Sequence, residues 1–311
     1  MVGSNGNVMQ TTSETLAEST LYVNGFRCRW MSLGRRGDHL PVFFLSGAFQ
    51  TMESWRKFAD HFASFTEVLL ADLPGMGKSD LLPRTHGLDF LAESAVQVMN
   101  TAGVERAHVV SASYGSPIAY RLAQLHPERI DRMILAGVMK AIPPNVRDKT
   151  ARTLELLAEG DMAGFSRLVV DGLLCHDRPV ERRHLARRLL SGQLERMPLP
   201  DRQRYIENTA RLLHHNPLDL EHPPSTPALV FTGENDVYTR PEYCREVACA
   251  LPNAQYTVIE HADHLFHIER FDVTLALLDG FVRLGDVSGT PGCQPVEHWS
   301  AATSQTSARE W

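Results

Sequence analysis

The sequence lacks several features that would mark other kinds of protein. No stretch of its 311 residues approaches the ~20 consecutive apolar residues of a membrane span. Its five cysteines, Cys28, Cys175, Cys244, Cys249 and Cys293, form no C-x-x-C pair, so neither a zinc knuckle nor a thioredoxin-type redox site is signalled. An odd number of scattered cysteines fits the reduced thiols of a cytoplasmic protein better than a disulfide framework. Basic residues are not in excess. The 31 Lys and Arg face 37 Asp and Glu, a net charge of −6, so no global positive field draws in nucleic acid. Met1 to Thr20 is polar and has neither the basic nor the apolar region of a secretory signal. No internal repeat is present. The chain is 43% hydrophobic and 22% charged, which is globular composition and excludes wholesale disorder, a fibre and a disulfide-scaffolded mini-protein. The length allows about two domains, or one α/β domain with a large insertion.

Strand and helix patterns alternate through the first half. Leu21 to Val23 and Phe26 to Met31 flank Asn24-Gly25, a hairpin with a type I′ turn. Buried strands are expected at Pro41–Leu45, Val68–Ala71, His108–Val110 and Met133–Ala136. Helical spacing separates them over Trp55–Phe62, over Leu88–Ala102 before the helix-ending Gly103, and over Pro117–Leu125. This alternation predicts a mostly parallel sheet with helices on both faces. It stops between Ile142 and His222, where only helical patterns occur: Asn145–Glu159, Met162–Leu173, Val180–Leu190 and Asp201–His215. It resumes with strands at Ala228–Phe231 and Gln255–Ile259 and helices at Pro241–Ala250 and Phe266–Leu284. The expected organisation is a catalytic α/β domain from residues 19–141 and 225–285, interrupted by a helical lid at 142–224. Ser/Thr/Gly-rich segments at 1–18 and 286–311 read as flexible tails. A lid of this kind would sit over the C-terminal strand ends, where α/β sheets place ligands.

The chemistry centres on Val110-Ser111-Ala112-Ser113-Tyr114-Gly115. It follows a strand and opens a helix, and a tight turn there strains the middle Ser and lifts its hydroxyl above the sheet. Small residues two positions either side, Ser111 and Gly115, let the two backbones approach. A Ser hydroxyl needs a base to take its proton. Asp236, just past the strand at Ala228–Phe231, and His264, just past the last strand, complete the chain order Ser, Asp, His. Glu234 is an alternative acid, and His261 and His267 compete as bases. His261 and His264 with Asp263 could also suggest a metal pair, but no other ligand cluster accompanies them and a catalytic zinc needs three protein ligands, so neither metal nor cofactor is expected. An oxyanion hole needs two backbone N–H groups. Tyr114 follows the nucleophile, and Ala48 sits in the Ser46-Gly47-Ala48-Phe49 loop after a strand.

With these motifs in place, residues 20 to 285 resemble the α/β-hydrolase superfamily. The resemblance rests on the Ser46-Gly47-Ala48 loop, Asp72-Leu73-Pro74-Gly75-Met76-Gly77-Lys78-Ser79, the Ser113 turn, Gly233 to Asp236, and His264 to Glu269. Within it, Gly47 to Ser54, Ser111 to Gly115 and Asp236-Val237-Tyr238-Thr239 look like the branch of 3-(3-hydroxyalkanoyloxy)alkanoate synthases and 3-hydroxyacyl-carrier-protein transacylases. Asp263 is a departure, since that position is commonly Gly; it requires an unusual backbone or tunes the base electrostatically. The resemblance implies acyl transfer through Ser113, with Phe49, Tyr238 and Leu265 beside the substrate. The Ser nucleophile argues against the haloalkane dehalogenases and epoxide hydrolases of this fold, which use Asp.

The lid stretch from Arg178 to Arg211 carries nine arginines against four acids. Arg183, Arg187 and Arg188 are candidates for docking an acidic carrier protein or the phosphates of CoA. Leu154, Leu157, Phe165, Leu168, Leu189 and Leu190 either line an acyl pocket or form the lid's own core. The expected function is cleavage or transfer of an acyl group from an ester or thioester, preferably carrier- or CoA-bound. The alternatives are a small-molecule esterase or C–C/amide hydrolase with the same triad, and a non-catalytic ligand-binding descendant.

Overall fold

The computed structural model describes residues 18–215 and 218–300. Except for Glu18, the expected N-terminal tail lies outside them, as does the end of the C-terminal one. The apolar runs pair into one sheet of nine strands: β1 (Ser19–Val23), β2 (Phe26–Leu33), β3 (Val42–Leu45), β4 (Val68–Asp72), β5 (Ala107–Ala112), β6 (Ile130–Ala136), β7 (Ala228–Gly233), β8 (Asn253–Ile259) and β9 (Glu297–Ser300). Their spatial order is β1-β2-β4-β3-β5-β6-β7-β8-β9. The interior pairs from β4 to β8 are parallel, and β1, β2 and β9 add antiparallel margins. Every residue of β3, β4, β5 and β7 is buried, as parallel strands covered on both faces require. Asn24 and Gly25 both have positive φ, +47° and +87°, which is the twist the β1–β2 hairpin needs.

The helices are α1 (Arg56–Phe62), α2 (Leu88–Thr101), α3 (Gly115–Leu125), α4 (Pro144–Glu159), α5 (Met162–Leu173), α6 (Arg183–Glu195), α7 (Leu199–His214), α8 (Pro241–Ala250), α9 (Phe266–Glu269) and α10 (Phe271–Leu284). Alternate strand residues divide between two cores, because successive side chains point to opposite faces. Phe43, Leu69, Val109 and Val230 face α2, α3 and α8 through Leu91, Ile118 and Val247. Phe44, Leu70, Val110 and Phe231 face α1 and α10 through Phe58, Leu277 and Phe281. The insertion α4–α7 has its own core of Leu157, Phe165, Val170 and Leu194.

Several boundaries shift by one to three residues from expectation, and three differences bear on the architecture. The third helical pattern of the insertion begins at Arg183 rather than Val180, because the Glu181 amide donates to the His261 carbonyl at 2.9 Å and holds that segment against the sheet. The last helix divides at Arg270 into α9 and α10. The expected loose tail at 286–311 is ordered over its described part. The Gly/Pro/Ser composition of 288–292 supplies turns, after which β9 pairs with β8. Trp299 packs near Tyr256, with the Arg245 guanidinium 5.6 Å above its ring. This covers a sheet edge that would otherwise carry unpaired amides and carbonyls.

The Asp72–Ser79 motif holds the frame beneath the site. Asp72, fully buried, accepts bonds from the Arg29 guanidinium at 2.6 Å, the Met52 amide at 2.8 Å and the Lys78 amide at 3.0 Å. Gly77 is required here, since a Cβ would lie 2.1 Å from that carboxylate. Arg29 also binds the half-exposed Glu53, so one ion cluster, buried at Arg29 and Asp72, joins β2, β4 and the short turn at Met52–Trp55. Replacing Arg29 by Met leaves a buried carboxylate without its cation and is expected to cost about 3–5 kcal/mol. Chemical denaturation should show this as a lower midpoint at unchanged slope.

Candidate active site

β5 runs into α3 with only Ser113 and Tyr114 between them. Ser113 has φ +48°, a left-handed conformation that a non-glycine residue adopts only under constraint. The constraint is close packing: a Cβ at Gly115 would meet the Leu45 carbonyl oxygen at 2.5 Å. Ser111 fits where glycine is usual because its hydroxyl donates to the Ile134 carbonyl at 2.6 Å. The turn is pinned further by the Ser113 amide donating to the Ala136 carbonyl at 2.8 Å.

Ser113 Oγ lies 3.1 Å from His264 Nε2, and His264 Nδ1 lies 2.8 Å from Asp236 Oδ2. Asp236 is buried and amply solvated by the protein. Its Oδ1 accepts the Tyr238 and Thr239 amides, both at 2.8 Å. Its Oδ2 accepts the Thr232 and Thr239 hydroxyls, both at 2.7 Å. Burial, the largest influence, pushes the Asp236 carboxyl up, but the His264 charge and the bonds from His264, Thr239 and Thr232 outweigh it and hold it below the usual carboxylate range. Burial likewise pulls His264 down, and the Asp236 charge and hydrogen bond, with a smaller push from Asp263, outweigh it and leave it above the ordinary imidazole value. An imidazole so biased takes a proton readily and stays in place as it does so.

Ala48 and Tyr114 both border the cavity beside Ser113. Among the described residues, neither amide donates a hydrogen bond, so both remain free for an anionic oxygen. Phe49 turns the loop with φ +62° and stacks on Tyr205 at 5.1 Å. Gln50, not singled out by sequence, organises the loop: its Oε1 accepts the Gly47 amide at 2.8 Å and its Nε2 lies 3.3 Å from His267 Nε2. His267 therefore supports the loop and lies outside the Ser113–His264–Asp236 chain. Burial, and then the neighbouring His264, lower its pKa to about 4. Of the other competitors, Glu234 accepts the His261 amide at 3.0 Å and lies outside the Ser113–His264–Asp236 chain. Among the described residues, no three His, Cys, Asp or Glu side chains are grouped to hold a metal ion.

The hydroxyl opens onto a cavity of about 720 Å³ between the sheet and the insertion. Leu168, Leu173, Leu189 and Leu190 of α5 and α6 make an apolar wall; Thr150 and Thr153 of α4 and Tyr205 and Thr209 of α7 make a hydroxyl-bearing one. Tyr238 and Leu265 also line it, with the Tyr238 ring edge-on to His264. Leu157 and Phe165 belong to the insertion's core, and Leu154 packs near Ile142 and Leu213. Helix α7 is fastened along one face. Arg204 donates to the Ser79 carbonyl, Glu207 pairs with Arg84, and Asn208 donates to the Gly75 carbonyl. Arg211 donates to the carbonyls of Leu82, Pro83 and His86 and to the Tyr114 hydroxyl. The three arginines of α6 do not line the cavity. Arg183 donates to the His176 carbonyl, Arg187 approaches Asp171 at 3.5 Å, and Arg188 is exposed.

Residues 41–271 match the family model described as alpha/beta hydrolase fold. The chain belongs to the alpha/beta hydrolase family. Among curated proteins, this alpha/beta hydrolase is 26% identical over 289 residues to a 2-hydroxy-6-oxononadienedioate/2-hydroxy-6-oxononatrienedioate hydrolase of Paraburkholderia phymatum, across 85% of this chain and 97% of that one. Solved structures sharing the fold include an alpha/beta hydrolase enzyme from a Medee basin deep-sea metagenome library, with TM-score 0.76 and 21% identity over 87% of this chain and 98% of the other. The enol-lactonase of Burkholderia xenovorans LB400 gives TM-score 0.73 and 22% identity over 85% and 99%.

The two ring environments make a direct expectation. In an NMR pH titration the His267 ring should keep its neutral shifts down to about pH 4. The His264 ring should titrate above the ordinary value of 6.5. Coincident midpoints would contradict the geometry.

Proposed function

We propose that this alpha/beta hydrolase is a serine hydrolase that cleaves small acyl esters through an acyl-enzyme on Ser113. The observation that carries this reading is the Ser113–His264–Asp236 hydrogen-bond chain ending at a cavity of about 720 Å³. His264 Nε2 takes the Ser113 proton as Oγ attacks the carbonyl carbon. The Asp236 carboxylate holds the Nδ1–H tautomer and stabilises the imidazolium. The oxygen that becomes negative accepts the Ala48 and Tyr114 amides. The tetrahedral intermediate then collapses, His264 returns its proton to the leaving oxygen, and the acyl group stays on Ser113. Water, deprotonated by His264, releases it. The helices α4–α7 act as the lid that shapes the acyl site and limits water.

A small substrate is favoured over a carrier-bound one because the α6 arginines border no cavity surface and two of the three already have partners within the insertion. A second reading, cleavage of a C–C bond next to a carbonyl by the same serine, is supported by the likeness to the 2-hydroxy-6-oxononadienedioate/2-hydroxy-6-oxononatrienedioate hydrolase.

A fluorophosphonate probe should label the protein, and Ser113→Ala should abolish labelling. Absence of labelling, or labelling that persists in the variant, rejects the enzyme reading. Asp236→Asn should lower kcat by about 10³–10⁴-fold. Turnover of a panel of p-nitrophenyl esters, acyl-CoA and acyl-carrier protein, and a 2-hydroxy-6-oxo-dienoate should favour the esters. Consumption of thioesters alone would transfer the role to carrier-bound substrates. In that case reversing Arg183, Arg187 and Arg188 to Glu should raise KM for the carrier and spare esters.

A further inference from the structure

Two further carboxyl groups lie next to His264. Asp263 and Glu269 are buried, at 0% and 1% exposure. Asp263 Oδ1 accepts the Leu265 amide at 3.1 Å, and its Oδ2 accepts the Cys175 amide, from the segment after α5, at 3.2 Å. Glu269 Oε2 accepts the Asp263 amide at 2.8 Å. Glu269 Oε1 is buried without a hydrogen-bond partner, while its Oε2 sits on the backbone of Asp263 itself. Among the described residues, no Lys, Arg or His makes an ion pair with either.

Two carboxyl groups buried on one turn, one of them seated on the other's backbone amide, with no ion-paired cation, disfavour double ionisation. One proton then belongs to the pair, and the geometry says where. Asp263 accepts two amides, which stabilise its charged form. Glu269 accepts only one and has a bare oxygen whose need a proton satisfies. Burial raises the Asp263 carboxyl too, partly offset by the Leu265 and Cys175 amides; burial, then the bond to and charge of Asp263, push Glu269 up to about 10. The groups that act on the pair are Asp236 from the turn after β7, His264 on Asp263's own turn, and the Leu265 and Cys175 amides. His264 is the one that carries a proton through the proposed reaction.

We propose that Asp263, kept ionised by a protonated Glu269, is a second positioning carboxylate for His264 and ties the cavity roof to the base through the Cys175 amide. This deepens the reading of His264 as the base and rests on it. Asp236 fixes the ring through Nδ1. Asp263 adds negative charge behind the same turn and so favours the imidazolium that forms when Ser113 gives up its proton. Glu269 supplies no charge; its part is to carry the proton that lets Asp263 remain charged without water.

The variants Asp263→Asn and Glu269→Gln separate the roles, with Asp263→Gly as a second charge-removing form should the amide misfold. The sign follows from the charge: losing a carboxylate near His264 lowers its pKa. By NMR titration, Asp263→Asn should move the His264 midpoint down by roughly half a unit. The pH at which fluorophosphonate labelling reaches half its maximum should move with it. Glu269→Gln mimics the neutral acid and should leave both within error of wild type. Near pH 8, where free carboxyl groups are ionised, the infrared difference spectrum of wild type against Glu269→Gln should contain the C=O stretch of a neutral acid. An unmoved His264 midpoint in both Asp263 variants overturns the proposal, as does a missing C=O band or a Glu269→Gln protein that behaves like Asp263→Asn. The NMR and infrared readings need no turnover. A protein with a shifted His264 midpoint but no labelling therefore rejects the hydrolase reading and leaves the carboxyl pair standing.

Discussion

The site depends on one tight corner. A strand buried on both faces turns into a helix within two residues, and that turn forces Ser113 to φ +48°. The corner fixes the serine oxygen relative to the sheet and leaves the Tyr114 amide pointing out of the turn. It also demands small neighbours: Gly115 against Leu45, and Ser111 with its hydroxyl satisfied inside the sheet. Gly47 meets the same corner from β3, where a Cβ would sit 3.1 Å from the Ala112 carbonyl. The local strain is held because the surrounding parallel sheet offers no softer path.

Charge is handled in the same way, by placing fixed dipoles where water is absent. Asp236 receives two amides and two hydroxyls besides the imidazole, so its negative charge is stable at full burial. Asp72 receives a guanidinium and two amides and ties together the strands and the Met52–Trp55 turn that follows the Gly47–Gln50 loop. The first carboxylate serves an imidazole that changes charge; the second serves an arginine that never does. That difference separates a group suited to chemistry from one suited to architecture.

Much of this was legible in the sequence because it is local. Ser113, Asp236 and His264 each follow a strand at a turn, so position in the chain predicts position in space. The hairpin at Asn24-Gly25 and the central strands follow from turn chemistry and apolar runs. What escaped was long-range. Gln50 reaches His267 across 217 positions of sequence, and no local pattern announces such a bond. The final strand was hidden by the Gly/Pro/Ser composition of the turns before it, and its pairing depends on a free edge of β8 that only the folded sheet presents. The arginine excess between 178 and 211 was visible as charge, yet its use was not. Arg211 is buried with five donor contacts, Arg187 faces Asp171, and Arg188 is exposed.

The insertion is not uniform in its attachment. Helix α7 is bonded along one face to the loop that carries the Asp72–Ser79 motif, through Arg204, Glu207, Asn208 and Arg211. The apolar wall of the cavity comes instead from α5 and α6, which pack mainly through aliphatic side chains. Aliphatic contacts tolerate exchange of shape and volume far better than a bonded polar seam does. Mutation therefore has an easy route to a new cavity shape and a hard one to a new anchor. Lineages that diverge from this chain can try new substrates through α5 and α6 while inheriting the anchoring helix and the serine corner unchanged.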